Sequence, residues 1–175
     1  MAYQKLQAGR VLQVVPADAI NIPNPAAIAT NGQTTADGRA ANQLIDANAT
    51  FLNDNIKVGD IIYASTGATS NWTLAATVKE VVNDTTLEVE NSSTGVGTLF
   101  NTGLPYNIYS QVDNPSNGCC LYIGDVAGGT DVEVLTAGGD PKILFKGVNA
   151  GQFMPVNVLR VYNTNTTAAS ILALW

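Results

Sequence analysis

The chain has 175 residues, carries a net charge of −6 and contains no histidine. Its eight basic residues are scattered singly, so we expect no binding to nucleic acid, which requires a clustered positive surface. Without histidine the chain cannot form a Ser-His-Asp or Cys-His nucleophile system, and it lacks the commonest metal ligand. No apolar run approaches the roughly 20 residues that span a bilayer, so we expect no membrane partner.

The composition favours β structure. Gly, Asn, Thr, Asp, Val and Ala are abundant, whereas Leu, Glu and Lys are too sparse for several amphipathic helices. The length allows one domain of ordinary size or two small ones. The first residues lack the apolar core of a signal peptide, which predicts synthesis in the cytoplasm.

The N-terminal part of the chain predicts one strand followed by an extended arm. The sequence RVLQVV has the apolar character of a strand, and the following PADAINIPNPAA contains Pro16, Pro23 and Pro25. Prolines at this density exclude a helix and a central strand. We expect the arm to pack across a surface or to reach a neighbouring subunit. Residues 31–41 are small and polar and predict a surface loop or linker.

Residues 42–110 predict five short strands, in the segments NQLIDANATF, VGDIIYAS, WTLAATVKEVV, LEVE and PYNIYS. Residues 83–86 predict a tight hairpin turn, and NSSTGVGTLFNTG at 91–103 predicts a flexible loop. Five strands in so short a segment suggest a small closed barrel, because closure removes exposed strand edges. Its aromatic residues are expected in the core, although an exposed pair could stack on a sugar ring. These residues are Tyr63, Trp72, Tyr106 and Tyr109.

The last third of the chain, residues 118–175, predicts four or five strands that end on an apolar tail. The tail SILALW has no polar terminus, whereas frayed ends are normally polar. We therefore expect the tail to be buried in the fold or in contact with another subunit. Phe, Met and Trp side chains suit such an interface. The candidate subunit or capsid interface consists of Phe153, Met154, Leu172, Leu174 and Trp175.

Two adjacent cysteines begin this part of the chain. Successive side chains of a strand point to opposite faces, so a bond between Cys119 and Cys120 would be strained. We expect both to be small buried apolar side chains. Pairing between subunits is the alternative.

Four carboxylates are candidates for a glycosidase pair, namely Asp125, Asp131, Glu133 and Asp140. All four lie in or beside predicted turns, where Asp accepts local hydrogen bonds, so we expect none to be catalytic. The segment GDVAGGTD at 124–131 resembles a phosphate loop, but it continues as a strand instead of a helix. A calcium site that uses Asp125, Thr130 and Asp131 stays open. We expect no enzymatic activity and no cofactor.

The strand patterns of the two chain ends and of the middle predict an all-β protein with two domains. Residues 1–31 and 112–175 form a host β-sandwich, jelly-roll-like, with the N-terminal extended arm. Residues 32–111 form a small β-barrel inserted into it, at exposed polar loops that tolerate insertion. A single continuous sandwich is the competing interpretation.

Three C-terminal segments, LYIGDVAGG, ILFKGVNAGQFMPVNVLRVYNT and NTTAASILALW, resemble a module of viral head proteins. The module is similar to that of head-spike base proteins of gene transfer agents and of related tailed-phage structural proteins. The chain departs from it at residues 163–165 and at the cysteine pair. The motifs of the viral head module are carried by residues 121–124, 138–140, 145–148, 151–156, 158–161 and 166–175.

The segments NQLIDANATF, VGDIIY and TTLEVE resemble a small barrel of marine-phage structural proteins.

The resemblance implies a virion component on the outside of a capsid, acting as a decoration or cement protein or as the base of a head spike or fibre. It also implies a homotrimer at a symmetric capsid position, with the major capsid protein and a spike or fibre protein as partners. An acidic, turn-rich β protein also suits binding to neighbours better than chemistry. A tail or baseplate structural protein and a carbohydrate-binding host-recognition module are the alternatives.

Overall fold

The computed structural model describes residues 8–38, 41–66, 71–90, 92–93 and 100–175, with only the backbone of Thr30, Asn31 and Asp140. The described residues form twelve β-strands in two antiparallel sheets of six strands each, and the expectation of an all-β fold is confirmed. Most of the predicted flexible loop at 91–103 lies outside the described residues. The strands are β1 (Val11–Gln13), β2 (Ala27–Gln33), β3 (Gln43–Ile45), β4 (Ile61–Ala64), β5 (Leu74–Asn83), β6 (Thr86–Glu90), β7 (Pro105–Tyr109), β8 (Cys119–Asp125), β9 (Val132–Thr136), β10 (Gly139–Phe145), β11 (Phe153–Val161) and β12 (Ala169–Leu174).

The two sheets draw their strands from different parts of the chain. Sheet A has the order β1-β12-β8-β11-β9-β10 and combines both chain ends. Sheet B has the order β2-β7-β4-β5-β6-β3 and lies within Ala27–Tyr109. The predicted boundary at residue 31 therefore falls inside β2, because the polar residues after the arm pair with β7 instead of forming a linker. The division into a host domain and an inserted barrel domain stays a prediction.

The first and last strands of sheet B approach each other. Beyond the end of β2, Ala36 forms an antiparallel bridge with Ile45 of β3, and the Thr35 amide donates to the Ile45 carbonyl oxygen at 2.8 Å. The predicted hairpin between β5 and β6 is present, and the Asn83 side chain accepts a hydrogen bond from the Thr85 amide at 2.9 Å. The sheet curls around its own core. The largest fully buried side chains of that core are Leu44, Phe51, Ile62, Leu87, Phe100, Tyr106 and Ile108.

Sheet A has a second core, and a third cluster of buried residues joins the two sheets. The second core contains the inward side chains of β8, β9, β11 and β12. In the third cluster, Leu12, Val15 and Ile20 from the N-terminal segment pack with Tyr63 and Tyr109 of sheet B. Strand β4 is consequently buried on both faces, since its alternate residues belong to different clusters.

The N-terminal arm packs across its own chain. The Ala17 and Ile22 amides donate to carbonyl oxygens of the segment that contains β11, at 2.9 and 2.8 Å. The Asp18 carboxylate accepts hydrogen bonds from the hydroxyl and the amide of Thr164, at 2.7 and 3.1 Å. The hydrogen bond from the Thr164 side chain is the main cause that holds the pKa of Asp18 below its usual value. These contacts fix the arm over sheet A.

A buried carboxylate anchors the chain where it leaves sheet B. Asp60 is 1% exposed, and one of its oxygens accepts from the Gln111 amide at 2.9 Å while the other accepts from the Lys57 amide at 2.8 Å. Gly59, with φ of +98°, makes a tight turn before β4. The Asp60 side chain therefore holds this turn together with the segment that follows β7.

Candidate functional surface

Half of the apolar tail points away from the core of sheet A. Strand β12 lies between β1 and β8, so it is an interior strand of the sheet. Ile171 and Ala173 point into the core, at 2% and 0% exposure, whereas the alternate residues Leu172 and Leu174 are half-buried on the opposite face. The tail therefore has both a structural side and an accessible side.

The accessible side continues across four neighbouring strands. Leu174 pairs with Val11 on one side and with Cys120 on the other. In the next row, Leu172 pairs with Tyr122, which pairs in turn with Phe153. Directly opposed side chains on one face of a sheet are near neighbours. The six form a strip that we call the outer face, namely Val11, Cys120, Tyr122, Phe153, Leu172 and Leu174.

The structure separates the five predicted interface residues. Phe153, Leu172 and Leu174 lie on the outer face. Met154 is 3% exposed in the core of sheet A, because adjacent residues of a strand face opposite ways. Trp175 is half-buried and packs against both the core of sheet A and the third cluster. Three of the five are therefore accessible together on one face.

Sequence reasoning missed three members of the outer face, namely Val11, Tyr122 and Cys120, and the last was wrongly expected to be buried. Val11 is 54% exposed and Tyr122 is 36% exposed, which makes them its most exposed side chains. The alternation of CCLYIG indicates that Tyr122 points away from the core whenever Leu121 points into it. Val11 carries no such signal, because its position depends on the pairing of β1 with β12.

Both cysteines are free, and they occupy opposite sides of β8. Cys119 is buried, and Cys120 is half-buried on the outer face. Burial, assisted by the neighbouring Cys120 thiol, raises the pKa of Cys119 to about 12. Cys119 therefore stays a protonated, shielded thiol at neutral pH, as expected for a small core side chain.

Native protein at pH 8 is expected to react with a maleimide at Cys120 only, because Cys119 is neither accessible nor ionised. Mass spectrometry of the intact protein should show one label under native conditions and two in guanidinium chloride. The Cys120→Ser variant should remain unlabelled until it is unfolded. Equal labelling rates of the two thiols in native protein would contradict this arrangement of β8.

Among the described residues, the four candidate carboxylates occupy separate surroundings. The Asp125 side chain accepts from the Ala127 amide at 2.9 Å, which is the predicted turn role. Asp131 uses its backbone to bind the segment that precedes β12. Glu133 is 8% exposed in β9 and accepts from the Asn165 amide group at 3.1 Å. The side chain of Asp140 lies outside the described residues.

Within the described residues, the candidate calcium ligands are not part of an acidic cluster. Among the residues that the structure describes, no three acidic or cysteine side chains come together as a metal site.

The tyrosines considered for sugar stacking are buried. Tyr63, Tyr106 and Tyr109 are each at most 2% exposed. Burial is the main cause that raises the pKa of Tyr63 above its usual value. These tyrosines belong to the core, so they cannot present a ring face to a sugar.

No family model matches the chain, and comparisons with curated proteins and with solved structures find no similar protein. In the described part of the chain, no helix has the length and apolarity to cross a membrane. The outer face is therefore interpreted from its own geometry and from the motifs of the sequence.

Proposed function

We propose that the protein is a non-enzymatic structural component of a phage virion. It lies on the outside of the capsid, where it decorates or cements the shell or forms the base of a head spike or fibre. The segments that resemble viral head proteins support this proposal. The observation that carries it is the outer face, because a strip of partly exposed apolar side chains on a sheet suits contact with another protein.

The outer face is assigned to the contact with the major capsid protein. Its centre contains Tyr122, an aromatic residue of the kind that often dominates binding at protein interfaces. The strands beneath it are fixed by the core of sheet A, so the surface is rigid before binding. The homotrimer stays an expectation from the resemblance, with light scattering at tens of micromolar as its test.

Co-sedimentation with capsids that lack the protein tests this assignment. The Tyr122→Glu variant places a charge at the centre of the outer face, and we expect at least a tenfold loss of capsid binding. The matched control is Val82→Glu, which charges an exposed apolar residue of sheet B, 46% exposed in β5, and should bind as the unmodified protein does. Circular dichroism should confirm that both variants are folded.

Gold-labelled antibodies on whole virions test the location. Labels over the head are expected. Labels confined to the tail or baseplate would favour the alternative structural role, and the absence of the protein from virions would refute the proposal. Unchanged capsid binding of Tyr122→Glu would remove the outer face from the contact.

A further inference from the structure

Sheet B carries a cavity that the proposed structural role does not use. The cavity has a volume of about 520 Å³ and lies between β2 and the turns that follow β3. This volume is within the range of sites for small ligands. The residues used in the argument are Ile28, Ala29, Asp46, Thr50, Asp54 and Tyr106.

A buried carboxylate forms the floor of the cavity. Asp46 is 4% exposed, and its Oδ2 accepts a hydrogen bond from the Tyr106 hydroxyl at 2.8 Å. Its Oδ1 accepts a hydrogen bond from the backbone amide of Asn48 at 2.9 Å. An ionised carboxylate has about four acceptor positions, so two neutral donors leave capacity for donors from a ligand.

A close approach of two strands holds the Tyr106 hydroxyl at this carboxylate. Gly32 of β2 pairs with Tyr106 of β7, and a Cβ atom at Gly32 would lie 2.2 Å from the Cζ atom of the Tyr106 ring. Glycine therefore lets the ring pass directly beneath β2. Close packing of the Tyr106 ring against the β2 backbone therefore positions its hydroxyl group on the cavity floor.

The walls of the cavity differ in polarity. The part of the lining from β2 is apolar at Ile28, which is 38% exposed, and at Ala29. The part that follows β3 is polar, and there the Thr50 hydroxyl donates to the Asp54 carboxylate at 3.2 Å. No lysine or arginine is among the described residues that line the cavity. Two carboxylates without a basic neighbour exclude phosphates, sulfates and acidic sugars, because like charges repel.

A sugar fits this lining better than a metal ion does. A divalent cation such as Ca²⁺ needs six or more oxygen ligands, and the described residues form no cluster of three acidic side chains. A pyranose ring offers hydroxyl groups that donate to carboxylates and a C–H face that packs on apolar side chains. The apolar wall and the acidic floor of the cavity match these two sides.

We propose that this cavity binds a neutral carbohydrate. Asp46 and Asp54 accept hydrogen bonds from adjacent hydroxyl groups, and the wall at Ile28 and Ala29 contacts the ring carbons. The site is independent of the outer face of sheet A. The proposal therefore does not rest on the structural role, and either one stands if the other fails.

The test uses the full chain and saturation-transfer difference NMR. The probes are methyl glycosides of glucose, galactose and mannose, together with N-acetylglucosamine, maltose and lactose, each at up to 20 mM. At least one probe is expected to bind. Asp46→Asn should weaken that binding at least tenfold, and Asn48→Trp should do the same by filling the cavity mouth from an exposed position.

Glu80→Gln is the matched control, because Glu80 is an exposed carboxylate of β5 outside the cavity lining. It should bind the same probe unchanged. Since Asp46→Asn also weakens the contact with Tyr106, the folded state of each variant is checked by circular dichroism, and Asn48→Trp decides the outcome if Asp46→Asn is unfolded. Absence of binding to every probe would overturn the proposal. So would calorimetric binding of Ca²⁺ that Asp54→Asn abolishes, or equal loss of sugar binding in Glu80→Gln.

Discussion

Replacement of Ile171 by alanine is expected to lower the free energy of unfolding by about 2 to 5 kcal/mol. Ile171 is 2% exposed and belongs to the core of sheet A, where β12 lies between β1 and β8. The shorter side chain leaves a cavity that the paired strands cannot easily close, because hydrogen bonds hold β12 on both sides. Urea unfolding followed by tryptophan fluorescence measures the change.

The adjacent residue provides the matched control. Leu172 points to the outer face and is half-buried, so Leu172→Ala should cost about 1 kcal/mol or less. The two changes remove similar apolar groups from neighbouring positions of one strand, and only their directions differ. Equal losses, or a larger loss at Leu172, would show that the inward and outward sides of β12 are wrongly assigned.

Gly32→Ala is expected to destabilise the protein by about 1 to 3 kcal/mol. A Cβ atom at this position would lie 2.2 to 2.6 Å from three atoms of the Tyr106 ring. That ring is 2% exposed and its hydroxyl is bonded to Asp46, so it has little room to move away. Thermal unfolding monitored by circular dichroism detects the loss as a lower Tm.

Gly138→Ala is the corresponding control. Its Cβ atom would lie 3.7 Å from the nearest atom, the Thr136 hydroxyl oxygen, which is an ordinary contact. Gly138 is exposed between β9 and β10, and we expect a change within about 0.5 kcal/mol. A tolerated Gly32→Ala would mean that Tyr106 adopts another position and that the floor of the cavity is different.

The alternation of apolar residues predicted much of sheet A. It gives the strand pattern of residues 118–175, the opposite directions of Cys119 and Cys120, and the burial of part of the tail. It could not tell whether the tail is an edge strand or an interior strand. That depends on β1, which contributes only Val11–Gln13 and comes from the other end of the chain.

Strand β2 was missed for a physical reason. Residues 31–33 are Asn, Gly and Gln, which favour loops when they are considered locally. In the fold they pair with β7, and the glycine is needed because the Tyr106 ring occupies the space of a side chain. Tertiary contact overrides local preference here.

The sequence also did not predict the cavity in sheet B. Asp46 stands in the segment IDANAT, which reads as an ordinary polar turn after a strand. Its burial follows from Tyr106, 60 residues further along the chain, and no local pattern connects the two. The Asx-turn spacing from Asp46 to Asn48 was the only available signal, and it indicates a turn without indicating a site.

The position of β12 also determines the order in which the molecule can assemble during translation. The strands of sheet B all lie within Ala27–Tyr109, so they can pair while the remainder of the chain is still being synthesised. Among the described strands, β1 pairs with β12 alone, and β12 separates it from β8. Sheet A is therefore incomplete until residues 169–174 have been synthesised. In the meantime Leu12, Val15 and Ile20 can already dock on Tyr63 and Tyr109 of the nascent protein, because the third cluster needs few later residues. The early sheet thus keeps β1 in place for a partner that is synthesised much later, and it shortens the search for a pairing that would otherwise be slow.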